Sequence, residues 1–417
     1  MQSLDAPRVA VIGGGAAGLL AAGTAAKNGA AVTVIEQNDR PGKKILISGK
    51  GRCNVTNDCT PPEFISNVTK NAPFLYSAIN RFTPQDMKDL LAGLGVELKT
   101  ERGQRVFPQS DKSADILAAL LRYTSDCTFL RAKAKAIVLE NGHVSAVVTT
   151  EGTKRFDAVI LATGGASYPL TGSDGSGYAI ARSLGHTVTP LIPSLVPLCS
   201  PSPLCREMQG LSLKNVALTV YDGEHELYRD FGEMLFTHFG FSGPMILSAS
   251  AHLRNTDFKN VRIEIDLKPA LDEPTLERRI LSDFSKYVNR DAQNALRDLL
   301  PQKMILPFLS LSEVDPRKKI NVLTREERGR ILFTLKRFTL PVSGFRPIEE
   351  AIVTSGGVSV KEIDPKTMAS KLVGGLFFAG EVIDVDAYTG GFNLQIAFST
   401  GFLAGQSAAE YRSNDNK

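Results

Sequence analysis

The residues best suited to chemistry lie in a glycine-rich turn near the start of the chain. Gly13, Gly15 and Gly18 follow the spacing G-x-G-x-x-G of dinucleotide-binding turns. The first glycine permits a tight turn, the second lets the backbone approach a pyrophosphate, and the third lets a helix pack closely on a strand. The unpaired N–H groups at the start of that helix would then bind the phosphate charge.

A strand, a helix and a second strand must position this turn. An apolar strand over residues 9–12 precedes the glycines, an alanine-rich helix follows them, and a strand over residues 32–36 ends in Glu36. An acid at that place accepts ribose hydroxyls and disfavours a 2′-phosphate. Because these features occur in order within about 30 residues, they predict a βαβ dinucleotide-binding unit and not a simple turn.

The composition is that of a globular chain with about two or three domains. Of 417 residues, 43% are hydrophobic and 22% are charged, and the formal net charge is only +4. The small positive excess is spread along the chain and does not form the basic stripe that nucleic-acid binding requires. Nucleic acid is therefore an unfavoured partner.

The spacing of the cysteines and histidines argues against a disulfide framework and a metal site. The five cysteines are irregularly spaced without a C-x-x-C pair, and the five histidines do not cluster. No apolar run approaches the roughly 20 residues that cross a bilayer, and no export signal is visible. We expect a cytoplasmic protein that binds neither a metal nor a membrane.

The order of predicted elements indicates two domains, one of them discontinuous. Residues 1–190 and 344–417 have α/β character and would form the nucleotide-binding domain. Residues 191–343 would form an inserted substrate or lid domain, β-rich over 191–270 and helical over 271–343. The fold class is therefore α/β, a Rossmann-like domain with a β-rich plus helical insertion.

Two motifs near the C-terminus favour FAD over NAD as the bound cofactor. A strand at residues 377–379 ends in Gly380 and Glu381, and this acid is suited to accept a ribityl hydroxyl. Residues 389–395 then open the last predicted helix, whose N-terminus would stabilise an anionic reduced flavin. The glycines over residues 172–177 have the wrong spacing for a second G-x-G-x-x-G. A separate NAD(P)H domain is therefore not expected.

Three long segments resemble a known protein family. Residues 42–57, 232–240 and 377–398 are similar to the HI0933-like flavoproteins, a branch of the flavoproteins with two dinucleotide-binding domains. The similar segments are spread over almost the whole chain. The resemblance implies the Rossmann-like fold of that group, bound FAD and oxidoreductase activity.

The resemblance also implies which residues contact FAD. The pyrophosphate would lie against Gly13, Gly15, Ala16, Ala17 and Gly18, and the adenosine ribose against Glu36 and Gln37. The pyrophosphate and flavin would further be lined by Lys43, Ser48, Gly49, Gly51, Arg52, Cys53 and Asn54. The remaining contacts would be Ala134 to adenine, Ala162, Thr163 and Gly164 beside the cofactor, Gly380 and Glu381 to the ribityl chain, and Gly391, Asn393, Leu394 and Gln395 to the flavin ring.

Three side chains admit two interpretations each. Cys53 is either redox-active or, as we favour because it has no nearby cysteine partner, a packing residue. His238 either protonates a substrate or is a structural histidine. Arg52 either attracts an anionic substrate or binds the cofactor phosphate. No catalytic side chain is assigned, because the flavin itself can carry the chemistry.

The sequence and the resemblance together predict an FAD-dependent oxidoreductase that transfers hydride through flavin N5. NAD(P)H would act as a diffusible electron donor, and the substrate would be a small organic molecule such as an unsaturated ketone of the bile-acid type. Two alternatives remain open, namely a flavin oxidase of small amines and a low-turnover flavoprotein associated with RNA. They differ in their signature, since an oxidase consumes oxygen whereas an RNA-associated protein binds RNA without stimulated flavin reduction.

Overall fold

The computed structural model describes residues 6–412 and divides them into two compact units. The first unit consists of the chain up to Ser194 and from Ile348 onward, and the second unit is Leu195–Pro347. From the sequence, these boundaries were expected after residues 190 and 343.

The strands are, in chain order, β1 (Arg8–Ile12), β2 (Ala31–Glu36), β3 (Thr56–Asn57), β4 (Val68–Lys70), β5 (Leu98–Glu101), β6 (Arg105–Pro108), β7 (Thr128–Arg131), β8 (Ala134–Glu140), β9 (His143–Thr149), β10 (Gly152–Arg155), β11 (Ala158–Leu161), β12 (Ile192–Ser194), β13 (Leu198–Cys199), β14 (Ser212–Asp222), β15 (His225–Thr237), β16 (Gly240–Ser242), β17 (Val261–Asp266), β18 (Phe338–Pro341), β19 (Gly344–Phe345), β20 (Val353–Ser355), β21 (Leu376–Phe378) and β22 (Asp386–Ala387). The α-helices are α1 (Ala16–Lys27), α2 (Lys43–Ile47), α3 (Pro61–Ser66), α4 (Tyr76–Arg81), α5 (Pro84–Gly93), α6 (Ser113–Tyr123), α7 (Ser176–Ser183), α8 (Pro203–Glu207), α9 (Pro244–Ser250), α10 (Glu273–Lys286), α11 (Ala292–Ala295), α12 (Gln302–Leu311), α13 (Arg325–Lys336) and α14 (Phe392–Glu410).

A parallel sheet with the strand order β21-β11-β1-β2-β7 forms the centre of the first unit. In β1 every residue from Val9 to Ile12 is buried, with exposed fractions of 0–3%. A strand that is apolar on both of its faces is typical of a parallel sheet covered on both sides. Ala10 pairs with Thr33 of β2 on one side and with Val159 of β11 on the other, which places β1 in the middle.

Both ends of the chain contribute to this unit. β21 pairs in parallel with β11, and α14 packs along α1. The two helices approach closely because α14 presents glycine there: a Cβ atom on Gly401 or Gly405 would lie 2.4 Å from a backbone oxygen of α1. The central sheet therefore contains strands from both parts of the unit, and the predicted fold class is confirmed.

The second unit is built on an antiparallel sheet with the order β18-β17-β14-β15-β16-β13-β19. Alternating residues of β17, Val261, Ile263 and Ile265, are buried, which is the pattern of a strand with one face on a core. Helices α8 to α13 belong to the same unit. Its buried apolar cluster runs from Leu198 to Val342 and contains no residue of the first unit.

Among residues 6–412, none of the helices combines the length and the apolar character that crossing a membrane would require.

Candidate functional site

A cavity in the first unit lies at the turn between β1 and α1. Its lining comes from widely separated parts of the chain, and all of them belong to the first unit. The lining residues are Ile12, Gly13, Gly15, Ala16, Ala17, Ile35, Glu36, Gln37, Gly42, Lys43, Lys44, Ile45, Ser48, Ala132, Lys133, Ala134, Ala162, Thr163, Gly164, Thr171, Gly172, Ser173, Ser176, Ile180, Ile352, Val353, Ala379, Glu381, Val385, Asn393, Leu394, Ile396 and Ala397.

The glycine turn has the geometry that the motif predicts. Gly13 has a φ of +105°, and a Cβ atom there would lie 2.4 Å from the backbone oxygen of Ala162. A Cβ atom on Gly18 would lie 1.8 Å from the backbone oxygen of Gly13. Both positions therefore exclude a side chain, and the start of α1 is held tightly against the end of β1.

Gly15 differs because the space in front of it is open. It caps α1, and a Cβ atom placed on it would meet no atom of the described chain within 4 Å. The backbone here faces the cavity at the positive end of the helix, where unpaired N–H groups bind anions. This is the cradle that a pyrophosphate needs.

Glu36 ends β2 and lines the cavity, as expected for the acid of such a unit. Its Oε2 accepts a hydrogen bond from the backbone N–H of Gly14 at 2.7 Å. Its Oε1 accepts two hydrogen bonds from Asn38, from the backbone N–H and from Nδ2, both at 2.8 Å. The carboxylate therefore fixes the glycine turn to the end of β2 and keeps lone pairs on Oε2 for a further donor.

The loop Thr171–Ser176 supplies a wall of the cavity that the sequence did not predict. Gln37 Nε2 donates to the backbone oxygen of Gly172 at 2.9 Å, and Asn38 Nδ2 donates to that of Thr171 at 3.0 Å. These bonds attach the loop to the chain that follows β2. The glycine-rich composition of residues 171–177 could have indicated a cavity wall here. The spacing of these glycines, however, was compared only with that of a second phosphate-binding turn.

Two hydroxyl groups of the lining are buried without a protein partner. Within residues 6–412, neither Thr163 Oγ1 nor Ser173 Oγ has a hydrogen-bond partner. A buried hydroxyl that lacks a hydrogen bond costs free energy, so such groups are uncommon outside ligand sites. Both are therefore available to a polar ligand in the cavity.

Asp174 anchors the same loop with a charge. Burial alone would raise the pKa of this carboxyl, but hydrogen bonds from Ser176 and Lys133 lower the pKa to about 2. Lys133 Nζ lies 2.9 Å from Asp174 Oδ2, and the backbone N–H of Ser176 donates to Asp174 Oδ1 at 3.0 Å. Lys133 and Ser176 also line the cavity, although the sequence did not predict them there.

An ion pair forms another part of the lining. Lys44 Nζ lies 2.7 Å from Glu381 Oε2 and donates to Ser167 Oγ at 2.7 Å. The neighbouring Lys43 also lines the cavity, but its Nζ pairs with Asp39 at 2.7 Å. The sequence singled out Lys43 and missed Lys44, because two adjacent lysines cannot be told apart without knowing the direction of α2.

The first turn of α14 completes the lining with Asn393 and Leu394. Asn393 uses its side chain on the preceding segment: Nδ2 donates to the backbone oxygen of Ala387 at 2.7 Å, and Oδ1 accepts from the Ala387 N–H at 3.0 Å. The amide group of Asn393 therefore shapes the entry into α14, while the helix start faces the cavity.

Fifteen of the residues that the resemblance assigns to FAD line the cavity, and nine do not. The residues outside the lining are Gly18, Gly49, Gly51, Arg52, Cys53, Asn54, Gly380, Gly391 and Gln395. Gly18 lies beneath the turn for the steric reason given above. The other eight do not line this cavity, and their contacts to FAD stay a prediction.

Arg52 and Cys53 have other surroundings. The Arg52 guanidinium pairs with Glu101 and Asp111, which raise its pKa, and lies 4.1 Å over the ring of Phe107. These contacts correspond neither to attraction of an anionic substrate nor to binding of the cofactor phosphate, the two roles considered for Arg52. Cys53 is fully buried, and burial raises the pKa of its thiol to about 12, so it carries no thiolate at neutral pH. Its environment favours the packing interpretation.

Three further residues support the wall from behind. Gln395 is fully buried, and its Oε1 accepts a hydrogen bond from Thr56 Oγ1 at 2.7 Å. A Cβ atom on Gly391 would lie 2.3 Å from the backbone oxygen of Thr56. The N–H of Gly380 donates to Thr400 Oγ1 at 2.9 Å. These residues hold α14 and the strand ends in place without entering the lining.

His238 belongs to the second unit and follows the end of β15. Its ring meets that of Phe239 edge-on, with 5.0 Å between the centroids. Its function as a proton donor stays a prediction.

Comparison with known proteins gives one family and several relatives of full length. The model described as "HI0933-like protein Rossmann domain" matches residues 7–407. A 3-dehydro-bile acid delta(4,6)-reductase of Clostridium scindens is 33% identical over 421 residues, which cover 97% of this chain and 99% of that protein. A ribosomal RNA dihydrouridine synthase of Escherichia coli is 30% identical over 420 residues, covering 99% of this chain and 100% of that protein.

A solved structure has a similar fold at low sequence identity. It is that of 3-ketosteroid-delta4-(5alpha)-dehydrogenase from Rhodococcus jostii RHA1, with a TM-score of 0.53 and 17% identity. The match covers 98% of each chain. This likeness concerns the fold.

Proposed function

The chain belongs to the HI0933-like family and is an FAD-dependent oxidoreductase, and we propose that it uses NAD(P)H to reduce a carbon–carbon double bond conjugated with a ketone in a small organic substrate. The observation that carries the proposal is the identity of 33%, at nearly full length, to a reductase of 3-dehydro-bile acids. The expected substrate class is an unsaturated ring ketone of the bile-acid type.

The cavity of the first unit fits FAD in three respects. The open backbone at Gly15 leaves room for a pyrophosphate at the start of α1. Glu36, at the end of β2, is suited to a ribose, and the unpaired hydroxyls of Thr163 and Ser173 offer hydrogen bonds to a polar ligand. These groups lie in one lining with the first turn of α14.

The chain's own residues bind and orient the cofactor. We propose that Gly13, Gly15 and Ala16 hold the pyrophosphate, that Glu36 holds the adenosine ribose, and that the start of α14 faces the ring. When bound, FAD would supply the hydride chemistry between a nicotinamide donor and the conjugated double bond. The carbonyl makes this bond a suitable acceptor because it delocalises the charge that develops, and a proton then completes the reduction at the α-carbon.

A second candidate substrate is a uracil base in ribosomal RNA. The relative from Escherichia coli is named a ribosomal RNA dihydrouridine synthase, and dihydrouridine is uridine with its ring double bond reduced. That bond is also conjugated with a carbonyl, so the same hydride chemistry would serve. The formal net charge of +4, spread along the chain, favours the small ketone over a polyanion.

The decisive test is anaerobic reduction and reoxidation of the purified protein with FAD bound. We expect NADH or NADPH to bleach the visible absorbance of the flavin, and an unsaturated 3-oxo steroid to restore it with formation of the saturated ketone. The saturated ketone itself is the matched control and should leave the flavin reduced. The same reduced protein is mixed with ribosomal RNA that lacks dihydrouridine, followed by nucleoside analysis.

Each outcome of this test supports one candidate function or excludes the proposed one. Dihydrouridine without steroid turnover would replace the proposed substrate with RNA. Bleaching by small amines, with peroxide formed on admitting oxygen and no effect of a nicotinamide, would establish the amine oxidase alternative. A folded protein that takes up no FAD would overturn the proposed function entirely.

A further inference from the structure

Two neighbouring lysines of α2 line the cavity but pair with different partners. Lys43 Nζ binds Asp39, whose side chain is 64% exposed. Lys44 Nζ lies 2.7 Å from Glu381 Oε2, and these two side chains are only 29% and 19% exposed. Lys44 therefore connects α2, near the start of the chain, to the strand end at Glu381.

Glu381 is held by donors from three separate segments. Besides the ammonium of Lys44, its Oε1 accepts the hydroxyl of Ser167 at 3.1 Å and the backbone N–H of Thr354 at 2.8 Å. A carboxylate with this many donors is fixed in position. The carboxylate is therefore held at a fixed place in the cavity wall.

The charge of Glu381 is unfavourable for an anionic dinucleotide unless it is neutralised. FAD carries two negative charges on its pyrophosphate, and like charges across a partly buried cavity repel more strongly than in water. Lys44 and Glu381 both line the cavity and pair with each other. The lining lysines Lys43 and Lys133 instead pair with acids that lie outside the lining.

We propose that Lys44 is a binding residue of the cofactor cavity, which neutralises Glu381 and so sets the affinity for FAD and the reduction potential of the bound flavin. The inference rests on the proposed function, because it requires FAD in this cavity. Reduction adds negative charge to the flavin, so an unpaired carboxylate nearby disfavours the reduced form more than the oxidised one.

The test replaces Lys44 by methionine, which keeps most of the side-chain volume and removes the charge. We expect Lys44→Met to weaken FAD binding about tenfold, as for the loss of one partner of a partly buried pair. We also expect the midpoint potential to fall by about 30 mV, which corresponds to a tenfold difference in affinity between oxidised and reduced FAD. FAD titration and spectroelectrochemistry measure the two quantities.

Two further variants separate the charge effect from a loss of structure. Lys88→Met is the control, because Lys88 pairs with Asp58 in another partly exposed ion pair and neither residue lines the cavity. It should leave affinity and potential within twofold and a few millivolts of the parent. Lys44→Met combined with Glu381→Gln removes both charges, so the midpoint potential should return towards that of the parent protein.

The outcomes distinguish this inference from the proposed function. If the parent protein binds no FAD, the proposed function fails. If the parent binds FAD and Lys44→Met behaves like Lys88→Met, only this inference fails. If Lys44→Met does not fold, the double variant Lys44→Met with Glu381→Gln is the test. It carries no Glu381 charge, so a midpoint potential far below that of the parent protein would overturn the inference.

Discussion

At the scale of single residues, Gly15 and Gly18 are three positions apart, but Gly15 faces open space and Gly18 is tightly packed. Substituting each of them therefore distinguishes an effect on ligand binding from an effect on folding. A Cβ atom on Gly15 meets open cavity, whereas one on Gly18 lies 1.8 Å from a backbone oxygen. We expect Gly15→Ala to change the free energy of unfolding of the FAD-free protein by less than about 1 kcal/mol. FAD affinity should fall at least tenfold, because the methyl group fills the space that we propose for the pyrophosphate.

Gly18→Ala is the comparison. The added methyl group forces α1 away from β1, so we expect a loss of about 2–3 kcal/mol in unfolding free energy, as for overpacked cores. Urea unfolding of the FAD-free proteins and FAD titration together measure both effects. Equal destabilisation by the two substitutions would contradict the assignment of Gly15 to the ligand.

At this scale the sequence predicted residue types better than side-chain partners. The turn at Gly13 and the acid at Glu36 are where the motif requires them, because backbone geometry fixes them. Arg52, by contrast, pairs with Glu101 and Asp111, and no spacing rule links residues about 50 and 60 positions apart in the chain. The pairing of Lys44 with Glu381, more than 300 positions away, was likewise beyond any spacing rule.

At the scale of elements, Gln395 connects α14 to neighbouring segments. Its Oε1 accepts from Thr56 of β3, and its Nε2 donates to the backbone oxygen of Phe82 at 3.1 Å and to Ser399 Oγ at 3.0 Å. We expect Gln395→Met to lower the free energy of unfolding by about 2–3 kcal/mol, because buried polar groups lose their partners.

A double-mutant cycle with Thr56→Val tests this connection. Thr56 and Gln395 share a buried hydrogen bond, so the two substitutions should be non-additive by about 1 kcal/mol in urea unfolding. FAD affinity should fall with Gln395→Met as well, because the first turn of α14 carries Asn393 and Leu394 into the cavity wall. Additive effects would mean that β3 and α14 are positioned independently.

Elements with a strong local pattern were predicted from the sequence. Asn141-Gly142, a pair typical of two-residue hairpin turns, joins β8 and β9, and α14 begins at Phe392, within the segment 389–395 that was expected to open the last helix. A short 3-10 turn at Ile348–Glu350 precedes β20, which begins at Val353. The wall at Thr171–Ser176 could not be predicted, because it depends on bonds to Gln37 and Asn38 across the fold.

At the scale of the whole molecule, each unit has its own core and the cavity belongs to one of them. The buried clusters of the first unit contain no residue from Leu195–Pro347, and neither does the cavity lining. Ser194 pairs with Val353, so a Gly/Ser linker of about eight residues can span from Ser194 to Ile348. We expect the protein with Leu195–Pro347 replaced by this linker to fold and to bind FAD within tenfold of the parent affinity.

The isolated segment Leu195–Pro347 provides the complementary control and should bind no FAD. Circular dichroism establishes folding, and quenching of flavin fluorescence measures binding. A folded, shortened protein that fails to bind FAD would show that the cofactor site needs residues of the second unit.

The joining of β21 and α14 to β1, β11 and α1 has a consequence for how the cell makes this protein. A ribosome releases the chain from its amino end, and domains generally fold as they emerge. The glycine turn leaves the ribosome more than 360 residues before Glu381 and the start of α14. The binding cavity is therefore complete only after α14 has been translated, so the cofactor cannot guide the folding of the earlier segments.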